Sequence, residues 1–166
     1  MTNNIFSKCI LTRSVNLQFK HINKVEKNIL YKIIKEISGK CVKEGLVKKD
    51  SIKIVSYSAG LLISDNVQYE TIIECEVCNP VEGMVIECKV EHITKAGIKA
   101  QLDMADSPLI VFIARDHHYK NKAFSKIKER DKIKVKIVGQ RYELNDKFIS
   151  VIGELMNNKK KVKIKH

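Results

Sequence analysis

The sequence predicts an α+β chain in which a helix laid across a small sheet is followed by a five-stranded β-barrel and a short basic tail. Three observations carry this reading. Apolar residues recur with helical period between Ile22 and Ile37, alternating strand patterns flank that stretch, and no strong helical period returns beyond Met84.

Ile22, Val25, Ile29, Leu30, Ile33, Ile34 and Ile37 fall three and four residues apart, which places them on one helical face. Gly39 supplies the stop. Ahead of the helix, residues 6–17 read as a strand or a strand pair. Behind it, residues 51–57 and 67–73 alternate as strands do, with Gly60 and Ser64-Asp65-Asn66 as turn signals. Pro80 and Gly83 punctuate the chain where the charge pattern also changes, so the expected domains are 1–80 and 81–156, with 157–166 as the tail. In the second domain the expected strands cover residues 84–93, 97–103, 109–114, 132–141 and 148–155. Five short strands with one longer connection, residues 116–130, match an OB barrel.

With 166 residues, 44% of them hydrophobic, the chain can bury a core in one domain or two small ones. The net charge of +12 is unevenly spread: 12 Lys/Arg face 8 Asp/Glu in residues 1–80, 14 face 11 in 81–156, and five lysines stand without an acid in the last ten. The expected partner is a polyanion, drawn mainly by the tail. An odd cysteine count of five and no basic-then-apolar leader at the N-terminus set the expectation of a reduced, intracellular protein. No apolar run approaches the roughly 18 residues of a membrane-spanning helix, so no membrane partner is expected.

Cys75-x-x-Cys78 invites a zinc ion, with Cys41, Cys88 or His92 as further ligands. No second CxxC completes the set, and the surrounding alternation reads as strand, so buried small hydrophobes are the expectation and no metal or cofactor is assigned. Asp116-His117-His118 reads as a surface loop open to RNA contact, and Asp103-x-x-Asp106 as a turn between strands. Ser38-Gly39-Lys40 lacks the earlier glycine of a phosphate loop. Tyr57 and Tyr69 read as packing residues of the first sheet. The lysine run 159–165 reads either as an RNA-binding or nuclear-targeting arm or as a solvated end.

Over nearly its whole length, several motifs fall in one order. Residues 39–47 (Gly39-Lys40-Cys41-Val42-Lys43-Glu44-Gly45-Leu46-Val47), Gly60, and Val67 with Tyr69 stand in the first half. Pro80-x-x-Gly83, Gly97, Phe112-Ile113-Ala114-Arg115, Lys136-Ile137-Val138-Gly139-x-Arg141, Asn145-Asp146 and Gly153-Glu154-Leu155 stand in the second. In order and spacing the chain resembles the subunit-7-type stalk subunit of multisubunit DNA-dependent RNA polymerases, a family with an archaeal counterpart. The divergence of the first half resembles versions encoded by large DNA viruses.

The resemblance implies a truncated ribonucleoprotein-like domain followed by an S1-type OB barrel. It implies assembly with polymerase core subunits and a subunit-4-type stalk partner, with Gly45, Leu46 and Val47 in an exposed docking loop and nascent single-stranded RNA on the barrel. A nuclear site follows, or host cytoplasm and virion for a virus-encoded copy. The expected role is non-catalytic and supports initiation, since no carboxylate cluster for two-metal chemistry is visible. S1 barrels place an aromatic two residues after the second-strand glycine and a histidine in the third strand. Lys99 and Ala114 stand there, so phosphate contacts from Lys99, Arg115, Lys134, Lys136 and Arg141 are expected to replace base stacking. The alternatives are a free-standing S1-domain RNA-binding or translation factor and a zinc enzyme built on Cys75 and Cys78.

Overall fold

The computed structural model describes residues 4–157; the basic run 159–165 lies outside them. The described chain divides into two units, a sheet unit of residues 4–79 with Tyr142–Phe148, and a barrel unit of Pro80–Arg141 with the residues from Ile149.

The sheet unit contains β1 (Phe6–Gln18), α1 (Val25–Ile37), β2 (Cys41–Val42), β3 (Gly45–Val47), β4 (Lys53–Tyr57), β5 (Leu61–Ile63) and β6 (Asn66–Cys78). β6 organises them. One side pairs along its whole length with β1, from Phe6↔Cys78 to Gln18↔Asn66. Its other side takes β3, β4 and β5 in turn. Alternation on the two long strands sends Leu11, Val15, Leu17, Ile73, Cys75 and Val77 to one face, where they meet Ile29, Ile33 and Ile37 of α1. Each fully buried isoleucine there stabilises the unit by roughly 1.5–3 kcal/mol. α1 has no side-chain N-cap, so burial of that stripe, spaced by four residues, holds it rather than capping. Gly39 follows in the left-handed region, φ 69°.

Of the two readings of the first segment, the single strand is the one formed, 13 residues over Phe6–Gln18. One expectation needs correction. Ile22 lies in a 3-10 turn ahead of α1 and is 40% exposed, and Ile34 is exposed as well. The core stripe of the helix is therefore narrower than the periodicity implied.

The barrel unit contains β7 (Val85–Ile93), β8 (Gly97–Gln101), β9 (Leu109–Ala114), β10 (Lys132–Arg141) and β11 (Ile149–Leu155). They run β7-β8-β9-β11-β10 and close on β7 into a five-stranded barrel of OB type, with β9 and β11 parallel and every other pair antiparallel. Ile86, Cys88 and Val90 point inward from β7, Ile98 and Ala100 from β8, Val111 and Ile113 from β9, and Ile133, Val135 and Ile137 from β10. Gly153 of β11 also faces inward. A Cβ there would collide with the Val135 side chain, so only glycine lets these strands pack at this level.

The long connection between β9 and β10 closes one side of the barrel wall through Phe124 and His118, both buried. Their rings stack 5.2 Å apart, 15° from parallel. His118 Nε2 accepts the Leu155 N–H at 2.9 Å, while Nδ1 stands 2.7 Å from the Ala114 carbonyl and donates to it. These two bonds fix the neutral tautomer with its proton on Nδ1. The Asp116-His117-His118 stretch is thus only partly the surface loop expected; its last residue is a structural histidine.

Candidate nucleic-acid interface

Side chains on the outer barrel surface are set by the same alternation that fills its interior. Lys99 lies outward on β8, opposite Phe112 of β9. Phe112 in turn pairs with Ile152 of β11, and Ile152 with Gly139 at the β10 bulge. Lys99, Phe112 and Ile152 therefore form one lateral row across three strands. Phe112 is 38% exposed and Ile152 54% exposed.

The row places an aromatic ring on the outer surface beside Lys99. The ring stands on the neighbouring strand, directly across from Lys99. The sequence hides it inside the run Leu109-Ile110-Val111-Phe112-Ile113-Ala114, which is apolar at every position. The signal was parity: Val111 and Ile113 fill the interior, so Phe112 between them must face out.

The five expected RNA cations do not form one cluster. Lys99 is held 3.4 Å from Glu91, which offsets its charge. Arg115 follows β9, donates to the Thr94 carbonyl at 3.1 Å and lies 5.3 Å from the Phe124 ring centre, so much of its capacity is spent on holding loops. Lys134 and Lys136 are outward on β10, with Glu87 across from the first and Glu154 across from the second. Arg141 is exposed at the end of β10, opposite Ser150. β8 and β10 have no shared edge in this barrel; Lys99 and Lys134 stand on strands that flank β7 from opposite sides.

A second polar surface lies on the barrel unit. Lys120, Lys122, Lys132 and Lys134 line an open groove between the β9–β10 connection and the ends of β10 and β11, facing Glu87 and Glu154. Lys132 is bound to Asp103 at 3.1 Å, and that carboxylate sits below its usual range because Lys132 and Lys89 stand beside it.

In the sheet unit, the expected docking residues occupy a different environment from the one predicted. Gly45, Leu46 and Val47 are buried, Leu46 opposite Cys78 and Val47 opposite Val77. Gly45 has φ 135°, and a Cβ there would strike the Cys78 carbonyl. The segment is an inner strand between β2 and β6, not an exposed loop: Val47 joins the sheet core, and Leu46, also buried, points to the other face. Beside it Glu44 accepts from Arg13 at 3.0 Å. Partial burial pushes the Glu44 carboxyl up, but the hydrogen bond and charge of Arg13 outweigh it and leave it below its ordinary value.

Cys75 and Cys78 are three apart on β6 and so project to opposite faces of the strand. Burial pushes Cys75 up to about 11 and Cys78 and Cys88 up to about 12. They are neutral thiols at physiological pH. Among the described residues, no group of three or more His, Cys, Asp or Glu side chains could hold a metal ion. Nor is any helix there long and apolar enough to cross a membrane.

No family model matches the chain. A protein of Acanthamoeba polyphaga mimivirus, provisionally named a DNA-directed RNA polymerase subunit, is 28% identical over 153 residues, covering 82% of this chain and 74% of that protein. The likeness supports a role for this chain in DNA-directed RNA polymerase.

Proposed function

We propose that this chain is the non-catalytic, subunit-7-type stalk subunit of a DNA-dependent RNA polymerase. In this reading the sheet unit is the truncated ribonucleoprotein-like domain that docks on the polymerase core with a subunit-4-type partner. The barrel is the S1-type domain that receives nascent single-stranded RNA and supports initiation. The complex works in the nucleus or, for a virus-encoded copy, in host cytoplasm and virion. Gly45, Leu46 and Val47 then serve docking indirectly, by holding the sheet that presents exposed neighbours such as Lys43.

The observation that carries this reading is the outward row of Lys99, Phe112 and Ile152 on an OB-type barrel, in a chain similar along 82% of its length to a named polymerase subunit. A cation beside a ring is the pairing that sequence-tolerant single-strand binding uses: the charge meets phosphate and the ring meets a base face.

Two measurements test it. Affinity purification from the native source, read by mass spectrometry, should recover the large polymerase subunits in stoichiometric amounts; recovery with ribosomal proteins instead would favour the free-standing factor. RNA affinity over a salt series should fall for Phe112→Ala by about 1–3 kcal/mol for each base stacked. Lys99→Phe should keep or raise affinity while reducing the single-strand salt slope by roughly 0.7. Unchanged binding by both variants would remove the strand face from the reading.

A further inference from the structure

We propose a second RNA subsite on the barrel unit, the lysine-lined groove between the β9–β10 connection and the ends of β10 and β11, which takes the phosphates of the strand after it leaves the Phe112 row. It rests on the RNA-binding role proposed above and names where a longer RNA goes.

Charge is the first ground. Four lysines line the groove against two carboxylates, Glu87 and Glu154. Only Lys132 is tied up by an acid; Lys122 and Lys134 carry no ion pair among the described residues, and Lys120 has only the Tyr119 ring, 5.5 Å away. Lys134 faces Glu87 across the strands without forming an ion pair, and ammonium groups outside ion pairs exchange counterions for phosphate. On the strand face, by contrast, Lys99 is already paired with Glu91.

Shape and continuity are the second ground. The groove wall is fixed, because His118 clamps the connection to β11 through Leu155 and stacks on Phe124. Tyr119 on its rim is 77% exposed, a ring open to a base. The two surfaces meet along β11, whose outward residues run from Ile152 in the row through Glu154 to Met156 in the groove. Four strand residues span roughly 13 Å, a reach that a single strand covering about 4–16 nucleotides per barrel can bridge. Charge complementarity favours a polyanion over an apolar partner, and the exposed ring favours a nucleic acid over an acidic peptide.

The test compares oligouridylates of about 4 and about 16 nucleotides, the limits of the site size for such barrels, on the full chain carrying Lys120→Ala, Lys122→Ala and Lys134→Ala. Unchanged thermal melting shows that these exposed substitutions leave the fold intact. Long RNA should lose a salt slope of roughly 2, close to a hundredfold in affinity at about 0.1 M salt, while short RNA changes by less than about twofold. Phe112→Ala should weaken both lengths. Equal loss on both lengths, or no loss on the long one, overturns the groove as a distinct subsite. If Phe112→Ala leaves both lengths unchanged while the lysine variant still weakens the long RNA, the strand-face reading fails and the groove stands. If the lysine variant releases polyglutamate but not long RNA, the occupant is an acidic peptide and the proposal is wrong.

Discussion

The barrel and the sheet unit treat buried polarity differently. In the barrel, the two buried polar side chains are fully engaged: His118 bonds at both ring nitrogens, and the Ser107 hydroxyl donates to Leu109 O and receives the N–H groups of Leu102 and Leu109. In the sheet unit, Thr71 is wholly buried and its hydroxyl has no hydrogen-bond partner. The same contrast holds for the backbone. Closure leaves the barrel no strand edge, whereas β1 pairs only with β6 among the described residues, and cationic side chains meet its outer carbonyls, Lys32 on Asn16 and Arg13 on Thr12. A closed wall offers partners its side chains alone; the open sheet also offers main chain. The two units are therefore suited to different kinds of contact.

The largest effect should break the sheet unit alone. Leu46→Asp with Val47→Asp puts unpaired carboxylates at two buried positions, Val47 in the sheet core, a loss on the order of 5 kcal/mol. Hydrogen exchange should show β1–β6 unprotected while the barrel strands stay protected; a sheet that keeps its protection would refute the burial of these residues. Next, His118→Ala should cost the barrel about 2–3 kcal/mol, because the Leu155 N–H and the Ala114 carbonyl lose their partner together. Urea midpoints measure it, and a shift no larger than that of an ordinary surface substitution would disprove the clamp.

Thr71→Val should move the other way, by about 1 kcal/mol of added stability, since it removes an unsatisfied hydroxyl at nearly constant shape. A loss of stability there would mean that the hydroxyl is bonded in solution. The smallest effect at neutral pH is one of reactivity. Cys9, only partly buried, should be modified by a thiol reagent ahead of the buried Cys41, Cys75, Cys78 and Cys88. Folded thiols raised to about 12 for Cys78 and Cys88 retain their protons while unfolded ones ionise near 9.0. Their stabilisation is complete below pH 9 and is lost as pH rises toward 12. Cys88→Ala should flatten the barrel's share of that alkaline decline.

Parity is the most legible signal in the chain. Inward Ile133, Val135 and Ile137 against outward Lys134 and Lys136, and inward Ile98 and Ala100 against Lys99, follow from strand alternation alone. Where alternation is invisible the sequence misleads. The run around Phe112 is apolar at every position, which hides its outward ring, and Gly45-Leu46-Val47 is too short to show a period, so a buried strand reads as an exposed loop. Tertiary pairing decides both: Phe112 is placed by the inward neighbours of β9, and Leu46 by its register against Cys78. The split of the cations between β8 and β10 is equally hidden, because strand order in a barrel is set by closure rather than by sequence.

The position of β6 in the chain has a consequence for biogenesis. Every other strand of the sheet unit except β2 pairs with β6, yet β6 is the last of them to be made. Until Asn66–Cys78 leaves the ribosome, the 13 residues of β1 have no strand to pair with and the apolar stripe of α1 has no sheet to cover. The nascent chain therefore cannot complete the sheet before β6 emerges, and β1 and β6 then meet across the long segment between Gln18 and Asn66.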